Sequence, residues 1–144
     1  MTAAAIAMVL GGRKTLRRSV DSDADLRVLT REGLPVSTLP VLAAGLDIER
    51  KTLAKVVGIS NRTLSRRLAG KTRLSAEESD RTMRLARIMA QATETFESGE
   101  KAALWLKTPN RVMDGQTPLE LLDTDAGVRW VETILGRIAW GVYS

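Results

Sequence analysis

The sequence predicts an all-α protein: a helical domain carrying a helix-turn-helix over residues 1–70, followed by a small helical domain over residues 71–144. Three observations carry this. No run alternates apolar and polar residues with period two while being rich in β-branched side chains. Helix start and stop signals recur along the whole chain. And "TLAKVVGISNRTLSRRLAG" reads as two short helices meeting at a tight glycine turn.

Taken in order, "MTAAAIAMVLGG" is apolar for about ten residues, too short to span a bilayer and without a basic region before it. It is expected to be a small helix packing on the domain. "DSDADLRVLTREG" predicts a helix with Asp23 as N-cap, Leu26 and Leu29 inward, and Gly33 as its stop. "LPVSTLPVLAAGLD" predicts another, capped by Ser37, with Pro40 in its first turn and Leu39, Leu42 and Leu46 on one face.

The helix-turn-helix follows. Leu53, Ala54 and Val57 are expected to pack its first helix, Gly58 to make the turn, Ile59 to plug the corner, and Leu64 and Leu68 to anchor the second helix, which Ser60 caps. Asn61, Arg62, Thr63, Ser65 and Arg66 then fall on the exposed side. Those residue types suit a major groove: arginine for guanine, asparagine for adenine, hydroxyls for phosphates. Arg67 sits nearer the packed face and is expected to snorkel outward.

"SAEESDRTMRLARIMAQATETFESG" opens with a capping box, Ser75 and Glu78. Its stripe of Leu85, Ile88, Met89, Ala92 and Phe96 follows helical spacing, and Gly99 marks its end. A short helix near Ala102–Leu106 precedes the turn-rich "KTPNRVMDGQTP", where Pro109, Gly115 and Pro118 fix the backbone. "TPLELL" restarts a helix, with Thr117 as cap, Pro118 first and Glu120 closing a second capping box. The last helix runs from Asp125, capped by Thr124, to near Trp140. Val128, Val131, Leu135, Ile138, Ala139 and Val142 make one stripe of it; Trp130, Thr133, Arg137 and Trp140 lie roughly opposite.

Composition narrows the function. The 144 residues contain no cysteine and no histidine, which excludes disulfides, a thiol nucleophile, the common general base and most transition-metal ligation. No phosphate-binding loop is present either. The chain is therefore expected to be no enzyme, to use no cofactor or metal and no small-molecule substrate, and to work in the cytoplasm away from membranes. Residues 1–70 hold twelve Lys and Arg against six Asp and Glu; residues 71–144 hold ten against eleven. The basic excess of the front half permits nucleic-acid binding. All five aromatic residues lie from Phe96 onward, the ending "GRIAWGVYS" carries Trp140, Val142 and Tyr143, and Trp130, Trp140 and Arg137 are of the types that partner-binding hot spots prefer.

The stretch "GLPVSTLPVLAAGLDIERKTLAKVVGISNRTLSRRLAGKTRLSAEESDRTMRLARIMAQATETF", followed by "TPNRVMDGQTPLELLDTDAGVRWVETILGRIAWGVYS", resembles the Xre/MbcA/ParS family of type II antitoxins, partners of RES-domain toxins. "RLSAEESDR", "TPLELL" and "GRIAWGVYS" are its most specific parts. The resemblance implies that the front domain binds operator DNA of its own toxin–antitoxin operon, as an autorepressor, and that the second is a toxin-binding domain. RES toxins of this kind degrade NAD. It further implies that Arg137, Trp140, Gly141, Val142, Tyr143 and Ser144 contact the toxin, the tail entering its active-site cleft with the Ser144 carboxylate against positive groups there. A homodimer is expected, because helix-turn-helix proteins usually read two half-sites. The runner-up is an ordinary dimeric helix-turn-helix regulator without a toxin partner.

Overall fold

The computed structural model describes residues 1–141, and the expected Val142, Tyr143 and Ser144 contacts lie outside the described residues. The chain is all-α, a helix-turn-helix domain followed by a helical domain. Its order is α1 (Ala3–Val9), α2 (Gly12–Leu16), α3 (Asp23–Glu32), α4 (Thr38–Leu46), α5 (Arg50–Val57), α6 (Asn61–Gly70), α7 (Ala76–Phe96), α8 (Gly99–Leu106) and α9 (Asp125–Ala139). Two 3-10 turns, Arg111–Met113 and Leu119–Asp123, fill the interval before α9. Among the described residues, extended pairing is confined to one antiparallel bridge between Pro35 and Arg73, and no helix is long and apolar enough to cross a membrane.

The long helix α7 organises the rest. It starts at the capping box expected from the sequence: Ser75 Oγ accepts from the Glu78 N–H at 3.1 Å, and the Glu78 carboxylate accepts from the Ser75 N–H at 2.8 Å. Its stripe of Leu85, Ala86, Ile88 and Ala92 is buried, and α1, α3, α5, α8 and α9 all pack on it. The N-terminal segment does form a helix packed on the domain: α1 is capped by Thr2 and buries Ile6 and Ala7.

Several boundaries differ from expectation for local reasons. α3 is capped by Ser22, not Asp23, because the Asp25 carboxylate reaches back to the Ser22 N–H at 3.1 Å and completes a capping box there. Ser37 precedes α4 with helical φ and ψ and makes no side-chain cap bond. α7 ends at Glu97, which takes a left-handed conformation, so Gly99 opens α8 behind the cap Ser98 instead of closing α7. "TPLELL" forms a 3-10 turn and not an α-helix; the Glu120 N–H still donates to Thr117 Oγ1 at 3.1 Å. Gly115 has φ +82° in the turn-rich loop. The short helix α2 has no signal in the sequence, since glycine starts it and only five residues form it.

Candidate functional site

Two exposed helix faces carry the side chains singled out in the sequence. The first belongs to α5 and α6. Leu53, Ala54 and Val57 are buried, Gly58 turns the chain at φ +73°, and Ile59 and Leu64 close the corner from below. A side chain at Gly58 would also meet the Arg81 guanidinium, whose Nη1 donates to the Val57 carbonyl and so covers the end of α5. The positive φ favours glycine there, and a larger side chain would push the Arg81 guanidinium off the end of α5. Ser60 caps α6, its Oγ accepting from the Thr63 N–H at 3.0 Å and donating to Thr63 Oγ1 at 2.8 Å.

That cap separates the candidates. Asn61, Arg62, Ser65 and Arg66 are exposed. Thr63 is half-buried and its hydroxyl is occupied by Ser60. Arg67 does not snorkel outward. It turns in toward α7, where its guanidinium pairs with the Glu78 carboxylate, because a deprotonated capping glutamate beside the packed face offers a better partner than solvent. Burial raises the Glu78 carboxyl, but the Ser75 N–H and Arg67 outweigh it and hold the group below its ordinary range. The pair links α6 to the helix that carries the rest of the protein.

The second face belongs to α9. Thr124 caps it, accepting from the Gly127 N–H at 3.0 Å. Val128, Val131, Ile134 and Leu135 are buried and Ile138 is partly so. Ala139, expected in this stripe, is exposed, and Ile134, which the sequence pattern does not single out, takes a place in it. At 3.6 residues per turn the two lie on opposite edges of the stripe, and the edge that is covered is the one shared by Gly127 and Ile134. Arg87 with Glu132 at 3.4 Å, and Gln91 Nε2 donating to the Glu132 carbonyl at 3.2 Å, hold α9 to α7. This leaves Trp130, Thr133, Arg137 and Trp140 on the outside, with Trp140 88% exposed just beyond the helix. Gly141 follows at φ +77°. The two faces are joined through the single continuous α7.

The fold and its two exposed faces define the class: an all-α protein with a helix-turn-helix joined by one spine to a second helical unit that turns an aromatic face outward. Known proteins match both parts in sequence. Residues 25–87 match the antitoxin Xre-like helix-turn-helix domain. Residues 91–141 match the antitoxin Xre/MbcA/ParS C-terminal toxin-binding domain. The two matches meet inside α7. The chain is 35% identical to the antitoxin Xre of Photorhabdus laumondii subsp. laumondii over 124 residues, which is 85% of this chain and 84% of that one. It is 31% identical to the antitoxin Xre of Yersinia enterocolitica, over 78% of this chain and 76% of that one. The chain belongs to the Xre antitoxin family. A chain of the M. tuberculosis MbcT–MbcA toxin–antitoxin complex superposes with a TM-score of 0.56 at 24% identity, covering 76% of this chain and 96% of that one, a likeness of fold.

Proposed function

We propose that this antitoxin neutralises a RES-domain toxin that degrades NAD, by placing the segment from Arg137 to Ser144 in the toxin's active-site cleft. We propose further that it represses its own operon as a homodimer whose α6 enters the major groove. In this reading the protein binds and does not catalyse.

The observation that carries the toxin half is Trp140. It lies within the residues matched by the toxin-binding family model, stands at the end of α9, and is 88% exposed. An indole left in water contributes little to its own domain, and large aromatic residues on a surface are what interface hot spots use. Gly141, with its positive φ, lets the chain turn away from the helix axis at that point. The DNA half is supported by four exposed polar side chains on the first turns of α6, namely Asn61, Arg62, Ser65 and Arg66, in a helix-turn-helix whose corner is fully packed.

Co-expression with the product of the adjacent gene, followed by a pull-down, tests the partnership. Recovery of a RES-domain protein whose NAD consumption is silenced in the complex supports the reading. A purified chain that binds DNA but captures no neighbour would favour a plain transcription regulator.

A further inference from the structure

The run Arg13–Arg18, "RKTLRR", lies ahead of the residues matched by the helix-turn-helix family model and belongs to neither of the two faces. In the structure its Arg17 ends α2 with φ +58°, its N–H donating to the Arg13 carbonyl at 2.7 Å. Lys71 ends α6 in the same conformation, φ +53°. Left-handed helix caps usually hold glycine or asparagine, so the positive φ itself calls for no cation at either place and only the helix dipole favours one there.

The fold brings these two caps to one groove of about 440 Å³, lined by Arg17, Lys71 and Arg73 together with Ser37, Leu68 and Thr72, and by no carboxylate among the described residues. Arg73 is anchored, its Nη1 donating to the Gly33 carbonyl at 2.7 Å. Arg17 and Lys71 are exposed and make no ion pair among the described residues. Arg18 pairs with Glu32, Arg67 with Glu78, Arg84 with Asp80 and Arg87 with Glu132, whereas Arg17, like Arg62 and Arg66 of α6, keeps its charge unpaired among the described residues. A concave site lined by unpaired cations of one sign concentrates positive potential. Hydroxyls at Ser37 and Thr72 add donors of the kind that phosphate oxygens accept.

We propose that this groove grips a DNA phosphate backbone beside the major groove that receives α6, with Arg17 and Lys71 neutralising phosphates. The inference rests on the reading of α6 as the groove-entering helix. That helix has 10 residues, or about 15 Å of length, against a major groove roughly 12 Å wide. With Asn61, Arg62 and Arg66 over the bases, the opposite end at Lys71 emerges at a strand. Arg17 is delivered to the same strand by the packing of α2, and Arg13 stands one turn back. A membrane surface is the other anionic partner to weigh. It is disfavoured because Leu16, the large apolar residue of α2, is buried, which leaves α2 no apolar face to insert.

The test is the double variant Arg17→Asn, Lys71→Asn. Asparagine tolerates the left-handed conformation, so the caps survive while both charges go. Affinity is measured against salt concentration by fluorescence anisotropy on two DNA duplexes, one from upstream of the protein's own gene and one of random sequence. Neutralising two fewer phosphates makes the plot of log affinity against log salt shallower by about 0.9 per phosphate, equally on both duplexes, with their affinity ratio and the thermal midpoint unchanged. An unchanged slope overturns the proposal, as does a lower midpoint with an unchanged slope, which would make the two cations helix caps only. Arg62→Ala, Arg66→Ala run alongside separates the two failures. If that variant loses its preference for the upstream duplex while the groove variant behaves as wild type, only the groove fails. If the wild type binds neither duplex in a salt-dependent way, the reading of α6 itself fails, and the groove with it.

Discussion

The guanidinium of Arg67, in the second helix of the helix-turn-helix, is paired with the carboxylate of Glu78, in the first turn of α7. The same carboxylate closes the α7 capping box on the Ser75 N–H. One glutamate therefore joins the α6 module to the spine that carries α9. Because Glu78 titrates below its ordinary range in the folded state, it contributes stability that is fully present above the unfolded-state value and is lost as pH falls through the folded-state value. Thermal unfolding followed from about pH 7 down to about pH 3 should show this acid limb, and Glu78→Gln should flatten it. Arg67→Met should cost on the order of 1 kcal/mol near neutral pH, the worth of a partly buried charged hydrogen bond.

Gly127 marks a second structural constraint. A Cβ on it would lie 1.8 Å from the Leu121 carbonyl oxygen, so the start of α9 and the preceding 3-10 turn approach each other as only glycine permits. Gly127→Ala should lower stability by roughly 2 kcal/mol or more, since backbone must move to admit the methyl. Chemical denaturation of the purified variant measures this. A midpoint equal to wild type would mean that α9 and the preceding 3-10 turn can move apart without penalty.

On the DNA side, Arg62→Ala, Arg66→Ala should weaken operator binding by roughly 1–3 kcal/mol for each base that either arginine reads. Toxin neutralisation should persist, because the substituted side chains lie on the face of α6 and not on α9. Gel shifts and toxin assays on the same preparation separate the two. Thr63→Val should act instead through the one hydrogen bond its Oγ1 accepts from the Ser60 hydroxyl, lowering stability before affinity.

Much of this architecture is legible in the sequence because its signals are local. Ser75 with Glu78, Thr124, and the Gly58 turn each lie within a few residues of the structure they cause. Where the sequence misleads, the cause is distant or subtle. Ser22 prevails over Asp23 because it stands three before a carboxylate that reaches back. The end of α7 at Glu97 needs a non-glycine residue to adopt positive φ, for which composition gives no sign. Arg67 turns inward because its partner is 11 positions on, beyond any helical spacing rule. The groove between Arg17 and Lys71 joins residues more than fifty apart; the cation run at 13–18 is visible in the sequence, but its neighbour is not. Helical projection finds Asn61, Arg62, Ser65 and Arg66 on α6 and Trp130, Thr133, Arg137 and Trp140 on α9, but it misplaces Thr63 and Ala139.

Trp140 should be energetically silent in the isolated protein. At 88% exposure, Trp140→Ala is expected to change stability by no more than about 0.5 kcal/mol. Its affinity for the toxin should fall by on the order of 2 kcal/mol, as for other buried aromatic anchors of interfaces. Calorimetry on the free variant and titration into the toxin give the two numbers independently.

The most direct measurement of the central claim compares NAD consumption by the RES-domain toxin in the presence of the intact chain and of a chain lacking residues 140–144. The account predicts that the shortened chain folds with an unchanged thermal midpoint, still binds operator DNA, and leaves the toxin fully active. Full inhibition by the shortened chain would contradict it, and would assign the toxin to Trp130, Thr133 and Arg137 on α9 instead.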